Sequence, residues 1–215
     1  MTTIGFIGSG NIGSSIARAA IAHGDDVVLS NSRGPETLAA LVAELGPHAR
    51  AATTAEAAEA GDLVVVTIPF RAVNELPVEP FAGKIVMDTN NYYAQRDGVF
   101  DDIENGTTTV SGALQRHLVD SRVVKAFNHI QALQIISTAT PSGTPGRRAL
   151  AIAGDDDGAK KAVADFIDGI GFDTVDVGPL SDSWRIDAGT PGYGPELTAA
   201  ELEAALAAAV RPGKG

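Results

Sequence analysis

Residues 4–7 are a short apolar run, and the period then changes, with Ile12, Ile16, Ala19 and Ala20 recurring on one helical face. The pattern predicts strand, tight turn and helix, closed by Gly24 and followed by a second apolar strand, VVLS. PETLAALVAELG reads as a capped amphipathic helix ending near Gly46, ARAATT as a short strand and AEAAEAG as a small helix. DLVVVTIPF is apolar on both faces, as at the centre of a parallel sheet. KIVMDTNNYY and RVVKAFNHI give two more strands with their exit loops. The stretch 140–148, TPSGTPGRR, has the Pro and Gly density of a boundary. Beyond it RALAIAG, a helix around Asp156 to Asp168, and FDTVDVG form strand, helix, strand, and an alanine-rich helix runs from about Thr198 to Ala209. Such alternation predicts an α/β fold, a doubly wound parallel sheet over residues 1–140 with a small C-terminal α/β extension over 141–215 packed on it.

The first turn carries chemistry. Gly8, Gly10 and Gly13 have the G-x-G-x-x-G spacing between a strand and a helix, which is the Rossmann dinucleotide-binding arrangement. Gly8 makes the sharp turn, Gly10 removes a side chain that would hold off a pyrophosphate, and Gly13 lets the helix sit close on the strand. The phosphates then meet free N–H groups at the helix N-terminus, so Gly8, Ser9, Gly10, Asn11, Ile12 and Gly13 are the expected contacts. At the end of the second strand an acid would bind the ribose hydroxyls of NAD and repel a 2′-phosphate. Here the chain reads Asn31, Ser32, Arg33 instead. Asn31 removes the charge, Ser32 offers a hydroxyl, and Arg33 offers a planar cation matched to phosphate, so NADP(H) is expected. Thr67, Ile68, Pro69 and Phe70 fall at the carboxyl edge of the sheet, where ligands bind in such folds.

Composition limits the remaining choices. The 215 residues suffice for a doubly wound domain and a small addition, but not for a large second catalytic domain. There is no cysteine, which excludes disulfides, thiol catalysis and Cys-ligated metal. No basic segment precedes the first strand and no stretch of about 18 apolar residues occurs, so a soluble cytoplasmic protein is expected. With 16 Lys plus Arg against 27 Asp plus Glu, a formal charge of −11 disfavours nucleic acid and anionic membrane. The expected partner is a small-molecule redox acceptor.

GFIGSGNIG with NSR, then VTIPF, VVKAFNHI, AIAGDDDGAKKAV and GFDTVDVGPLSDSWR, in that order, resemble the NADPH-dependent F420 reductases (F420H2:NADP oxidoreductases) and their bacterial relatives over nearly the whole chain. The resemblance implies that Gly8 to Gly13 hold the pyrophosphate, that Ser32 and Arg33 take the 2′-phosphate, and that Ile68, Pro69 and the region of Asn128 and His129 flank the nicotinamide. It also implies direct hydride exchange with the deazaflavin F420, without a side-chain acid or base, and together with the Ala-rich C-terminal helix it suggests a homodimer. Where archaeal members carry an apolar, proline-containing loop for the deazaflavin, this chain has Asn90, Asn91, Tyr92 and Tyr93. These amides and phenols either frame a flavin-like ring or only turn the chain and pack.

Trp184 and Tyr193 either cover the substrate face or anchor the C-terminal segment. Asp155, Asp156 and Asp157 stand at a helix start, where carboxylates meet the positive dipole end, so no metal is expected there. His129 could reach the nicotinamide but has no orienting carboxylate nearby in sequence, and Lys125 lies inside a strand with no nameable partner. No catalytic side chain is therefore assigned. Three functions fit these residues: an NADP-dependent oxidoreductase with F420 or a flavin-like acceptor, an imine reductase similar to pyrroline-5-carboxylate reductase, and a non-catalytic NADP(H)-sensing regulator.

Overall fold

The computed structural model describes residues 2–211. Its centre is the segment the sequence marks as apolar on both sides: β4 (Leu63–Val66) is buried at every position and lies between β1 (Thr3–Ile7) and β5 (Ile85–Asp88). Beyond β1 come β2 (Asp26–Ser30) and the short β3 (Ala49–Ala51); beyond β5 come β6 (Arg122–Lys125), β7 (Ala149–Gly154) and β8 (Asp173–Asp176). Among the described residues this makes one eight-stranded sheet, ordered β3-β2-β1-β4-β5-β6-β7-β8. β1 to β6 are parallel, and the order reverses between β1 and β4, the switch point where α/β sheets bind ligands.

Helices cover both faces. α1 (Asn11–His23) buries Ile16, Ala17, Ala19 and Ala20 and ends at Gly24, whose φ of 101° lets its N–H bond back to the Ala20 and Ile21 carbonyls. α2 (Ala39–Leu45) follows a 3₁₀ turn, and α3 (Thr54–Ala60) starts on a reciprocal Thr53–Glu56 capping box. After β5 come α4 (Ala94–Asp97), α5 (Asp101–Glu104) and α6 (Val110–His117), which the sequence reading did not assign. α7 (Gln134–Ser137) follows β6, α8 (Asp157–Gly169) joins β7 to β8, and α9 (Ala199–Ala208) packs on β7 and β8 through Leu202 and Leu206. No helix among the described residues is long and apolar enough to cross a membrane.

The parallel sheet expected from the sequence has one exception. β7 runs antiparallel to β6, pairing Val124 with Gly154 and Lys125 with Ala153. A parallel partner needs a crossover back to the strand's starting edge. The segment after β6 stays at the carboxyl edge instead, where His129 touches Ala151, so β7 begins there and runs back. The three aspartates before α8 have separate structural tasks. Asp155 accepts the Leu180 N–H at 2.9 Å, Asp156 caps α8 by accepting the Ala159 N–H at 2.7 Å, and Asp157 pairs with Lys160 at 3.1 Å.

Candidate active site

The glycine turn is built as its spacing requires. Gly8 has φ 98°, and a Cβ on it would collide with the Thr67 carbonyl, while a Cβ on Gly13 would collide with the Gly8 carbonyl and stand 2.7 Å from Thr67 Cγ2. Gly10 differs from both. Its φ of −76° suits any residue, and a Cβ there would meet nothing within 4 Å. Neither backbone nor packing asks for glycine at position 10, so what it keeps clear is the space above the helix. It is also the N-cap of α1 and provides no capping side chain, and the first turn carries no acid despite the chain's −11 charge. The first-turn N–H groups and the positive end of a 13-residue helix thus face open space, a donor set that fits a pyrophosphate.

The exit of β2 is tied to this turn. Gly8 N–H and Ser9 Oγ both donate to the Ser30 carbonyl, at 3.1 and 2.9 Å, and the buried Ser30 Oγ donates to the Phe6 carbonyl at 2.8 Å. Asn31 does more than remove a charge. Its Oδ1 accepts the Arg33 N–H at 2.9 Å and its Nδ2 donates to Thr37 Oγ1 at 2.9 Å, folding residues 31–33 into an Asx turn. Ser32 and Arg33 are left exposed at its tip, and Arg33 makes no ion pair among the described residues.

A cleft of about 410 Å³ crosses the carboxyl ends of β1, β4, β5 and β6. Gly10, Asn11 and Ile12 lie at the β1 end, and Thr67, Ile68 and Pro69 follow β4. Asn90 and Asn91 follow β5, and Asn128 with Tyr193 forms the far wall. Asn90 is 3% exposed; its Oδ1 accepts the Ile68 N–H at 3.1 Å, so its Nδ2 must donate elsewhere. That Nδ2 is buried and has no partner among the described residues. A buried donor without an acceptor costs about 1–3 kcal/mol, and the carbonyl of a carboxamide such as nicotinamide would remove the penalty. Across the cleft, Asn128 Nδ2 donates to the Ile186 carbonyl at 2.7 Å and to Asn91 Oδ1 at 3.1 Å. Phe127, just before it, has φ 59°, a strained value for a bulky residue that turns the chain sharply out of β6.

The structure separates several residues that the sequence grouped. Phe70 is 2% exposed and points away from the cleft, packing edge-to-face on Tyr92 and Phe100 with ring centres 5.9 and 4.9 Å apart. Tyr92 donates to Glu104 at 2.8 Å and, with Trp184, lines a second cavity of about 320 Å³ that shares only Asn91 with the first. Trp184 is covered by Arg185, whose guanidinium carbon is 4.6 Å from a ring centre. Phe70, Tyr92 and Trp184 are thus absent from the wall that faces the glycine turn.

His129 is turned away from that wall as well. Its Nε2 accepts the Ala151 N–H of β7 at 3.1 Å, which places its proton on Nδ1, 3.3 Å from Asn128 Oδ1. Burial, reinforced by Arg148 and Lys125, pushes its pKa down to about 3. The imidazole is a neutral clasp between the β6 exit and β7. Because its folded-state pKa lies below the ordinary 6.5, the unfolded chain binds the extra proton first, and this contribution to stability is lost as pH falls from about 6.5 towards 3. His129→Gln is expected to lower the urea midpoint at pH 7 and to flatten its decline between pH 6.5 and 4, while leaving cofactor affinity within about twofold. An unchanged slope would contradict this assignment.

Lys125 has its partners here too. It is fully buried, pairs across the sheet with Asp88, donates to the Asn90 carbonyl at 3.3 Å and stands 3.4 Å from Asp187. Burial raises the Asp88 pKa against the pull of Lys125 and of Ser111, whose hydroxyl donates to it at 2.6 Å. This layer lies under the cleft and ties the β5 exit to the C-terminal segment. Tyr93, one of the phenols the sequence offered for the ring, lines the cleft; sequence reasoning omitted Arg96, Thr89 and Gln131, which line it too.

Residues 3–92 match the family described as NADP oxidoreductase, coenzyme F420-dependent, the family that the sequence motifs resemble. Among solved structures, a hypothetical protein, SMa0349, from Sinorhizobium meliloti is 29% identical with a TM-score of 0.75, over 93% of this chain and 94% of that one. A protein from Arthrobacter sp. FB24, named provisionally as an F420-dependent NADP-reductase, is 24% identical with a TM-score of 0.73, over 85% and 87% of the two chains. Pyrroline carboxylate reductase of Plasmodium falciparum with NADP bound shares the fold at 12% identity and a TM-score of 0.55, over 86% of this chain and 60% of the larger enzyme. The protein YjhV of Escherichia coli (strain K12) is 40% identical over 53 residues, a match spanning 25% of this chain and 39% of YjhV.

Proposed function

We propose that this chain is an NADP(H)-dependent oxidoreductase that passes a hydride directly between the nicotinamide and a flat acceptor, the deazaflavin F420 or a flavin-like ring. The observation that carries this reading is the make-up of the cleft at the switch point. It joins an acid-free helix N-terminus to a buried, unpartnered amide, Asn90 Nδ2, and among the described residues no carboxylate or imidazole lines it. NADPH bound there supplies the hydride. The first turn of α1 would hold its pyrophosphate, Ser32 and Arg33 its 2′-phosphate, and Asn90 the carboxamide. Ile68 and Pro69, on the wall of the cleft, would give the ring an apolar surface and keep water from one of its faces. With no acid or base required, these side chains act by setting contact and orientation, the two-ring distance for transfer being about 3–3.5 Å.

The imine-reductase alternative calls for a long helical C-terminal domain that completes the substrate site. Residues 149–208 instead fold as β7, α8, β8 and α9 on the same sheet. A regulator that only senses NADP(H) would use the same cleft. The three readings separate in one assay, in which NADPH absorbance is followed with F420, FMN or a cyclic imine added singly. Consumption with F420 or FMN is expected; consumption with the imine alone would move the assignment.

A further inference from the structure

The loop after β5 holds a cation, Arg96, to which the cofactor placement proposed above gives no role. Arg96 is fixed by the buried Asp97, to which its Nε and Nη2 donate at 2.9 and 2.8 Å, and by the Asn91 carbonyl, 2.6 Å from Nη2. Its guanidinium carbon lies 4.9 Å from the centre of the Tyr93 ring. Asp97 is itself held by the Tyr93 backbone N–H at 3.0 Å. Among the described residues Arg96 Nη1 donates to nothing, and Arg96 lines the cleft. Beside it the hydroxyls of Tyr93 and Tyr193 are 2.7 Å apart.

The surrounding amides orient this pair. Asn128 Nδ2 donates to Asn91 Oδ1, so Asn91 presents Nδ2 to the Tyr193 oxygen, at 3.4 Å. Either phenol can donate in this pair; with Tyr193 as the donor, the Tyr93 proton is left for the cleft. Burial, and then the hydrogen bond with Tyr93, raise the Tyr193 pKa above the ordinary phenol range, so Tyr193 stays protonated at neutral pH. The glycine turn follows β1, whereas Tyr93 and Arg96 follow β5, two strands further in the sheet order, or about 10 Å at ordinary strand spacing. A dinucleotide anchored at α1 places its nicotinamide over β4 and β5 and leaves these groups to the second substrate.

We propose that Arg96 Nη1 and the Tyr93 hydroxyl form a clamp for an electron-rich oxygen on a planar ring, either a conjugated ring carbonyl or a carboxylate, and so select the second substrate. Tyr193 and Asn91 position the clamp. The proposal rests on NADP(H) filling the glycine end of the cleft, and its test keeps the two apart.

Calorimetric titration of the NADP⁺-loaded protein uses lumiflavin, whose electron-rich oxygens are its ring carbonyls, and pyrrole-2-carboxylate, which presents a carboxylate. At least one probe is expected to bind, with affinity about tenfold lower in Tyr93→Phe and in Arg96→Met and partly restored in Arg96→Lys, while NADP⁺ affinity stays within twofold. The probe that responds identifies the oxygen. Thermal midpoints of the variants guard against a misfolded loop, and Tyr93→Phe, which keeps the ring under Arg96, decides the matter if Arg96→Met does not fold. Probe binding indifferent to Tyr93→Phe, a parallel loss of NADP⁺ affinity, or no binding of either probe would overturn the clamp. If NADP⁺ itself does not bind the unmodified protein, the proposed cofactor fails instead, and the same titrations without NADP⁺ still decide the clamp.

Discussion

Replacing Arg33 by Asp is expected to reverse cofactor preference. In the unmodified protein NADPH should bind far more tightly than NADH, because one charge-assisted contact to the 2′-phosphate is worth about 1.5–3 kcal/mol, or roughly 10- to 100-fold, and Ser32 adds to it. The variant loses the contact and gains a carboxylate at the tip of a turn that Asn31 holds rigidly, where it repels the phosphate and can accept from the ribose hydroxyls of NADH. NADPH affinity should fall by about 100-fold or more, with NADH becoming the tighter ligand. Arg33 is exposed and unpaired among the described residues, so the thermal midpoint should hardly move. Fluorescence titration with both nucleotides reads the result, and equal binding of NADH and NADPH by the unmodified protein would remove the assignment of residues 31–33.

The second large effect separates two glycines three positions apart. Gly10→Val should leave the fold nearly intact, since its Cβ enters open space, and lower the midpoint by about 2–4 °C at most through a poorer N-cap. Cofactor affinity should nonetheless drop by about 100-fold or more, because the new side chain occupies the volume in front of the α1 N–H groups. Gly13→Val should damage both. Its side chain collides with the Gly8 carbonyl and Thr67, and such overpacking costs about 1–3 kcal/mol, or roughly 2–12 °C in a chain of this length. Thermal melts and nucleotide titrations on both variants distinguish a glycine kept for a ligand from one kept for packing. Gly10→Val with unimpaired NADPH binding would contradict the placement of the pyrophosphate.

The local parts of this site were legible because their signals lie within a few residues of one another. The glycine spacing, the apolar run of β4 and the exit of β2 are each fixed by neighbours in sequence, and the structure holds them as those patterns require. The Asn31 turn was legible only in part: the missing charge could be read, but not the bond to Thr37 that presents Arg33. The far wall depends on contacts across a hundred residues, such as Tyr93 with Tyr193, and no local period announces them. His129 was misplaced because its direction is set by a positive φ at Phe127, a residue type that gives no warning of one. Phe70 and Tyr92 follow strands as expected of site residues, yet their rings are drawn to Phe100 on the other side of the loop. β7 could be seen as a strand, while its direction depends on the path of residues 126–148 along the sheet edge.

The central claim is hydride transfer from NADPH to a second ring held in the same cleft. The direct measurement is anaerobic incubation of the protein with NADPH carrying deuterium on the transferred position and with F420, followed by mass analysis of the reduced deazaflavin. The account predicts NADPH consumption that needs both protein and F420, with the deuterium retained on the deazaflavin carbon. NADPH that binds tightly yet is consumed with none of F420, FMN or a cyclic imine would contradict it and leave a nucleotide sensor in its place.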